Sequence, residues 1–219
     1  MTVPERTLRA YLDAVAARTP TPGGGSVAAV AGALAAALGE MVANLTLGRS
    51  EATGSDDALV DLRDRLTGLR GSLIDAAAAD ERTYAAYRDA VKLPRGSDAE
   101  TTARAAALHR TLIDATEVPL AVARSAAEVA ELMANVAVSA NRHVRSDAAL
   151  GALLAEVALR GALLNVHGNA MLLYRQDKER SLAYLAAADR VEDDGRAAAD
   201  RAYRAATGDL DQDAPFLTL

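Results

Sequence analysis

Apolar residues recur three and four positions apart along most of the chain, and no stretch alternates between apolar and polar positions as a β-strand does. This spacing predicts an all-α protein: a multi-helix, largely antiparallel bundle in one domain over residues 1–219. The first predicted helix begins at a capping box of Thr2 and Glu5 and ends near Arg18. Its apolar positions share one face: Leu8, Tyr11, Leu12 and Val15.

The second predicted helix follows a loop over residues 20–25, takes Ser26 as its N-cap, and carries two different stripes. The bulky stripe consists of Leu34, Leu38, Met41, Val42 and Leu45. The small stripe consists of Ala28, Gly32, Ala36, Gly39 and Ala43. We expect the bulky stripe to fill the core and the small stripe to let another helix backbone approach closely. Each mid-helix glycine costs about 1 kcal/mol, which close packing or a ligand against the helix would explain.

The third predicted helix runs from 58 to 91, and its apolar seam ends on a carboxylate. The seam steps alternately three and four residues through Leu59, Leu62, Leu66, Leu69, Leu73 and Ala76. Asp80 is the next member of that series. A carboxylate at such a position is partly buried or faces a cavity, and burial raises its pKa toward the range useful for proton transfer. Alternatively the seam drifts to the surface, since a straight helix slips about 20° per heptad.

Turn and cap signals divide the rest of the chain into further helices. A capping box of Ser97 and Glu100 starts a fourth helix, and Pro119 should break or kink it before a fifth that ends near residue 141. Ser146 and Asp147 are good N-cap residues for a sixth helix beginning near residue 148. A last helix runs from about 177 to 206, and we expect residues 207–219 to form a loosely held tail.

Three groups of residues could line a ligand site. Pro20 and Pro22 hold the backbone extended, and the glycines at 23–25 let a ligand approach the main chain, so this turn is either an anion or carbonyl cradle or an ordinary loop. Asn165 and Asn169 lie one helical turn apart and form either a ligand wall or hydrogen bonds between helices. Asn44, near the end of the second helix, could bind a ligand or a neighbouring loop.

Composition excludes several classes of function. The net charge of -6, with acidic and basic residues interspersed, gives no basic surface for nucleic acid, and the chain has no cysteine for thiol chemistry. The apolar run at 27–39 is too short to span a bilayer, so we expect a soluble cytoplasmic protein with no membrane contact. The three histidines lack metal-ligand spacing, and no nucleotide-binding or nucleophile-elbow motif is present, so we expect no metal site.

The stretch PGGGSVAAVAGALAAALGEMVANLTLG resembles the opening motif of the formimidoyltetrahydrofolate cyclodeaminase and methenyltetrahydrofolate cyclohydrolase family, which includes the C-terminal domain of formiminotransferase-cyclodeaminase. Further similar segments are Asp80 with Leu93-Pro94-Arg95, Val118-Pro119-Leu120, Asn141 with Ser146-Asp147, and Gly161 with Asn165-Val166 and Asn169. Two segments depart from the family pattern. Ala140 replaces a glycine, and only Arg49 stands where relatives carry several basic and aromatic residues.

The resemblance implies an enzyme that cyclises 5-formimidoyltetrahydrofolate to 5,10-methenyltetrahydrofolate with release of ammonia. Methenyltetrahydrofolate cyclohydrolase, giving 10-formyltetrahydrofolate, is the alternative, and a non-catalytic helical ligand-binding dimer is a third. On this interpretation Asp80 is the general acid/base and Asp147 a second carboxylate that orients ligand or water. The folate would be the substrate of a homodimer with no tightly bound cofactor. Its binding walls would be Pro22, Gly23, Gly24, Gly25, Ser26, Asn44, Asn141, Ser146, Asn165 and Asn169.

Overall fold

The computed structural model describes residues 3–48, 55–140 and 142–208, and within these ranges it is a bundle of six α-helices without a strand. The helices are α1 (Leu8–Ala16), α2 (Gly24–Thr46), α3 (Asp56–Val91), α4 (Asp98–Ser139), α5 (Arg145–Leu173) and α6 (Lys178–Thr207). Short 3₁₀ turns at Val3–Glu5 and Arg142–Val144 precede α1 and α5. The predicted all-α, largely antiparallel bundle is therefore confirmed.

Helix α2 packs against α3, α4 and α5, and α4 packs against α2, α3, α5 and α6. Most of the buried core positions are alanine, with larger side chains such as Leu66, Leu73 and Met133 spaced between them. Because alanine has so little side chain, neighbouring helix axes can approach closely over long stretches. The core is therefore formed by backbone proximity along long helices rather than by large aromatic residues.

The two stripes of α2 differ in burial, and the difference agrees only in part with the predictions. Every member of the small stripe is buried, whereas Leu34 is 54% exposed and Leu45 43% exposed. The reason is geometric, since only the face of alanine and glycine lets α3 and α5 pack against the α2 backbone. The prediction that this face receives another helix closely was correct. The prediction that the bulky stripe fills the core is correct for Val42, which is fully buried, and wrong for Leu34 and Leu45.

Four predicted helix boundaries also differ from the structure. Gly23 is the N-cap of α2, and Ser26 lies inside its first turn. Helix α4 continues without a break through Pro119, so the fourth and fifth predicted helices are one. Helix α5 begins at Arg145, which places Ser146 and Asp147 in its first turn rather than at its cap. In α1 the cap is Thr7, and the predicted cap Thr2 lies outside the described residues.

Helices α2 and α5 run antiparallel side by side and expose apolar side chains along one shared surface, here named the α2–α5 face. Its members are Val27, Leu34 and Leu45 of α2 and Leu150, Leu153, Val157, Leu164 and Met171 of α5, each at least 41% exposed. These two helices are also long and apolar enough to cross a membrane by length and composition, but about half of each apolar window is buried inside the bundle. Core helices of soluble proteins meet the same two criteria, so this finding alone does not indicate a membrane protein.

Candidate functional site

Three glycines of α2, spaced seven residues apart, leave space for three side chains of α3 that pack against them. A Cβ added to Gly39 would lie 2.8 Å from Leu66, and one added to Gly32 would lie 3.2 Å from Leu73. The third step of the series pairs Gly25 with Asp80, where the added Cβ would lie 2.1 Å from Oδ1. Asp80 therefore occupies a position equivalent to that of a core leucine, as the seam in the sequence indicates, and only glycine leaves room for it.

The Asp80 carboxylate also contacts the first turn of α2. The backbone N–H of Ser26 donates to Oδ2 of Asp80 at 3.1 Å, so the carboxylate caps the positive end of the helix. The Ser26 hydroxyl, fully buried, is 3.1 Å from the hydroxyl of Tyr11. Beside Asp80, Glu81 accepts two hydrogen bonds of 3.2 Å from the Arg6 guanidinium. Asp80 is thus fixed from one side while its other side faces a cleft.

Burial raises the pKa of the Asp80 carboxyl above its ordinary value, and the neighbouring Glu81 charge adds to the rise. The N–H of Ser26 acts in the opposite direction because it stabilises the charged form. Burial is the largest of these effects, so the net shift is upward. A carboxyl of this kind exchanges protons closer to neutrality than a solvated aspartate does.

The cleft has a volume of about 390 Å³ and lies where the N-terminal end of α2 meets α3, α4 and α5. Its lining combines bare backbone, one carboxylate, two amides and two phenol rings: Pro20, Thr21, Gly23, Gly24, Gly25, Asp80, Thr83, Tyr84, Tyr87, Ala115, Asn165, Asn169 and Leu172. A larger groove between α5 and α6 contains neither Asp80 nor the glycine turn. The cleft is therefore the candidate site, since it alone unites the predicted proton-transfer group with the predicted cradle.

The two asparagines of α5 line the cleft opposite Asp80. The Nδ2 of Asn165 donates to the Gly161 carbonyl at 3.0 Å, and the Nδ2 of Asn169 donates to the Ala115 carbonyl at 2.6 Å. The predicted hydrogen bond between helices is observed for Asn169, and the predicted ligand wall stays a prediction. The amide nitrogens bind main-chain carbonyls, one of them across helices, and the amides still line the cleft.

The structure gathers some of the predicted site residues and separates others. Gly23, Gly24, Gly25, Asp80, Asn165 and Asn169 line one cleft, with Ser26 and Pro22 buried directly behind its glycine turn. Asn44, Ser146 and Asp147 lie at the opposite end of α2 and α5. Eighteen residues of helix separate Asp147 from Asn165, a distance of about 27 Å. Asn141 lies outside the described residues.

Several lining residues were not singled out as site residues in the sequence. Tyr84 and Tyr87 follow Asp80 by one and two turns of α3, and Thr83 lies between them and Asp80. Their spacing from a seam carboxylate was the available signal. Tyr11, which contacts Ser26 but does not line the cleft, offered no signal, because its position on α1 is that of an ordinary apolar-face residue and the contact depends on tertiary packing.

The chemistry that this lining supports is proton transfer on an uncharged or modestly charged organic ligand. One carboxyl with a raised pKa can accept and return a proton, the amides can orient polar ring atoms, and the tyrosines can pack against a flat ring. In the part of the chain that the structure describes, no three histidine, aspartate or glutamate side chains are grouped as metal ligands.

Comparison with known proteins identifies relatives over most of the helical bundle. The family model described as Formiminotransferase-cyclodeaminase matches residues 7–189. The chain is 42% identical over 164 residues to methenyltetrahydrofolate cyclohydrolase of Methylorubrum extorquens, covering 75% of this chain and 79% of that protein. It is 35% identical over 162 residues to formimidoyltransferase-cyclodeaminase of Mus musculus, of whose length the match covers 30%.

A solved structure is similar over an even larger share of the chain. The crystal structure of formiminotetrahydrofolate cyclodeaminase from Thermotoga maritima matches with a TM-score of 0.84 and 27% sequence identity, over 95% of this chain and 99% of that one. The match therefore extends over nearly the complete bundle, including the helices that form the cleft.

Proposed function

The chain belongs to the formiminotransferase-cyclodeaminase family of folate one-carbon enzymes, and from this premise we propose that it hydrolyses 5,10-methenyltetrahydrofolate to 10-formyltetrahydrofolate in the Asp80 cleft. The observation that carries the proposal is Asp80 itself, a half-buried carboxyl wedged against Gly25 in a cleft. The choice of hydrolysis follows the relative from Methylorubrum extorquens, which matches over most of its length and is named for that reaction.

In the proposed reaction Asp80 moves one proton. Asp80 accepts a proton from water as the water oxygen bonds to the methenyl carbon between N5 and N10. The bond from that carbon to N5 then breaks, Asp80 returns its proton to N5, and the remaining hydroxyl proton leaves to solvent as the formyl C=O forms on N10. The positively charged substrate and water thereby give a neutral product and one released proton. A raised pKa suits this cycle because the carboxyl must be both a base and an acid.

Cyclodeamination of 5-formimidoyltetrahydrofolate is the second candidate, favoured by the match to the Thermotoga maritima cyclodeaminase. There N10 bonds to the carbon of the protonated formimidoyl group, –CH=NH2⁺, and Asp80 accepts the N10 proton. The same proton then goes to the –NH2 nitrogen, which leaves as ammonia while the positive charge stays on the methenyl product. Both reactions pass through a tetrahedral carbon bonded to N5 and N10. The same cleft and the same carboxyl therefore serve either one.

The test measures both reactions with one protein preparation. Loss of methenyltetrahydrofolate absorbance reports hydrolysis, whereas its gain from the formimidoyl substrate with stoichiometric ammonia reports cyclodeamination. Asp80→Asn should lower kcat by about 10²–10⁴-fold on whichever substrate turns over, because it keeps the shape and removes the proton acceptor. Asp75→Asn, an exposed aspartate on the same helix, is the matched control and should keep full activity. Full turnover by Asp80→Asn would overturn the assignment.

We also propose that the protein is a homodimer joined through the α2–α5 face. The α2 side of this face steps four and three residues through Val27, Ala31, Leu34, Leu38, Met41 and Leu45, the spacing of a helix seam that packs against another helix. A two-fold axis pairs such a face with its own copy, so that α2 and α5 of both protomers form a four-helix layer. We therefore propose that a second copy of the chain covers this face, because its own α2–α5 face has the matching apolar surface.

The dimer would also explain where Asn44, Ser146 and Asp147 act. When the two-fold axis lies across the helices, each α5 runs antiparallel to its counterpart, and the Asp147 end of one protomer approaches the cleft end of the other. The family-like residues that lie about 27 Å away within one chain would then complete the site from the partner chain.

Size-exclusion chromatography with light scattering tests the dimer directly. The unmodified protein should have twice the monomer mass, and Leu34→Glu combined with Val157→Glu should give monomers, because each dimer would then bury several like charges. Leu182→Glu, at an exposed apolar residue of α6 outside the face, is the control and should leave the mass unchanged. A monomeric unmodified protein that binds lipid vesicles would instead make the face a membrane surface and overturn the dimer.

A further inference from the structure

Pro119 lies in the interior of α4, yet α4 is continuous from Asp98 to Ser139 and Pro119 is buried. In a helix the N–H of residue 119 would donate to the carbonyl of residue 115, and proline has no N–H. The Ala115 carbonyl is therefore without its regular helical donor. Ala115 also lines the Asp80 cleft, so the interrupted hydrogen bond lies at the site.

Asn169 of α5 supplies the donor that Pro119 lacks. Its Nδ2 lies 2.6 Å from the Ala115 carbonyl oxygen, a short hydrogen bond between two helices. One turn earlier, Nδ2 of Asn165 donates to the Gly161 carbonyl of its own helix. When the nitrogen of a side-chain amide donates to a carbonyl, the position of the amide oxygen is fixed as well, because both atoms belong to one planar group. Both orientations are therefore determined by main-chain acceptors.

We infer that Pro119 is a positioning residue for the cleft: by leaving the Ala115 carbonyl to Asn169, it holds the oxygen of Asn169, next to that of Asn165, as an acceptor for an N–H donor on one edge of the ligand. This inference rests on the proposed folate function for the identity of that ligand. The pyrimidine edge of a tetrahydrofolate carries a ring N–H beside an amino group, which are two adjacent donors. Two amide oxygens one helical turn apart are suited to such an edge.

The alternative is that Pro119 only shapes α4, and the two roles predict different changes in KM and stability when Pro119 is replaced. Pro119→Ala restores the helical N–H, so it should keep or raise the melting temperature. The restored N–H competes with Asn169 for the Ala115 carbonyl and loosens the amide. Because one positioned hydrogen bond contributes about 1 kcal/mol, KM should rise by about three- to tenfold while kcat stays within about twofold. A purely structural proline would change stability and leave KM alone.

A double-mutant cycle separates the two roles. Asn169→Ala should raise KM at least as much as Pro119→Ala does, and the double variant should be no worse than Asn169→Ala alone, since Pro119 acts through Asn169. Asn135→Ala is the matched control, because Asn135 donates to a main-chain carbonyl of the same helix on an exposed surface away from the cleft. Additive effects of the two changes, or an unchanged KM in Pro119→Ala, would overturn the inference.

A second readout does not depend on catalysis. The side-chain amide protons of Asn169, assigned by their disappearance in Asn169→Ala, should exchange slowly with solvent in the unmodified protein and faster in Pro119→Ala. An unmodified protein that turns over neither folate would refute the proposed function while this exchange difference still tested the positioning role. Equal exchange in both proteins would refute the positioning role whatever the activity.

Discussion

Asp80 is acidic at a position where its helix otherwise places leucine, and its pKa reflects both burial and the adjacent charge of Glu81. Glu81→Gln removes one of the causes that raise the pKa, so the pKa of Asp80 should fall. Because the reaction needs the deprotonated carboxylate as base, the acidic limb of kcat/KM against pH should move to lower pH in this variant. The measurement is the pH profile of both proteins. Asp89→Asn, exposed on the same helix, should leave the limb in place, and a limb that stays put in Glu81→Gln would contradict the prediction.

The same pKa has a consequence for stability. A carboxyl whose pKa is raised by folding contributes to the stability of the folded state below its unfolded pKa of about 3.9. This contribution is lost as the pH rises through the pKa of the folded state. Asp80→Asn cannot ionise. It should therefore melt at a higher temperature than the unmodified protein at pH 7, with the difference shrinking as the pH approaches 4. Thermal unfolding across this range measures it. A variant that melts lower at pH 7 would show that the Ser26 hydrogen bond outweighs burial.

Gly25 sets the position of Asp80 more strictly than any other contact. Gly25→Ala would place a methyl carbon 2.1 Å from Oδ1, so the carboxylate must rotate away from Ser26 and from the cleft wall. We expect kcat to fall about as far as in Asp80→Asn, by 10²–10⁴-fold, with the helical circular dichroism signal intact. Gly68→Ala on α3, where an added Cβ meets nothing within 4 Å, serves as the control. Wild-type turnover by Gly25→Ala would show that Asp80 need not stay against the turn.

At the scale of whole helices, the sequence predicted which segments are helical, and their order, better than it predicted which face of each helix is buried. The seam of α3 was readable because leucine and alanine mark one face and Asp80 falls on the same line. Helix α2 was harder, since a helix with both a bulky and a small apolar stripe does not reveal which one meets its neighbours. The sequence predicts that Pro119 breaks or kinks the helix, because the residue that donates to the carbonyl left free by Pro119 is Asn169, 50 residues later in the chain. The contact of Asp80 with the glycine turn is likewise tertiary, although the glycine spacing of seven residues anticipates it.

Because the helices pack so closely, replacing glycine by alanine should change the free energy of unfolding in opposite directions on different helices. Gly195→Ala on α6 would place a Cβ 2.6 Å from Leu159 and 2.9 Å from the Cβ of Ala127, so the free energy of unfolding should fall by about 1–3 kcal/mol despite the gain in helix propensity. Gly71→Ala, on α3 with nothing within 4 Å, should raise it by up to about 1 kcal/mol. Urea denaturation measures both. Equal stabilisation by the two changes would mean that α6 can shift away from α4 at little cost.

At the scale of the assembly, the proposed dimer places Asp80 of one chain and Asp147 of the other at a shared site, which mixed dimers can test. Asp80→Asn and Asp147→Ala should each be nearly inactive alone. A mixed dimer would contain one site with both carboxylates intact and one with neither, so random mixing should restore about a quarter of the normal activity. Co-expression with two affinity tags isolates the mixed dimer. If Asp147 acted within its own chain, every site in that dimer would lack one carboxylate and mixing would restore nothing. Full activity in Asp147→Ala alone would remove Asp147 from the site altogether.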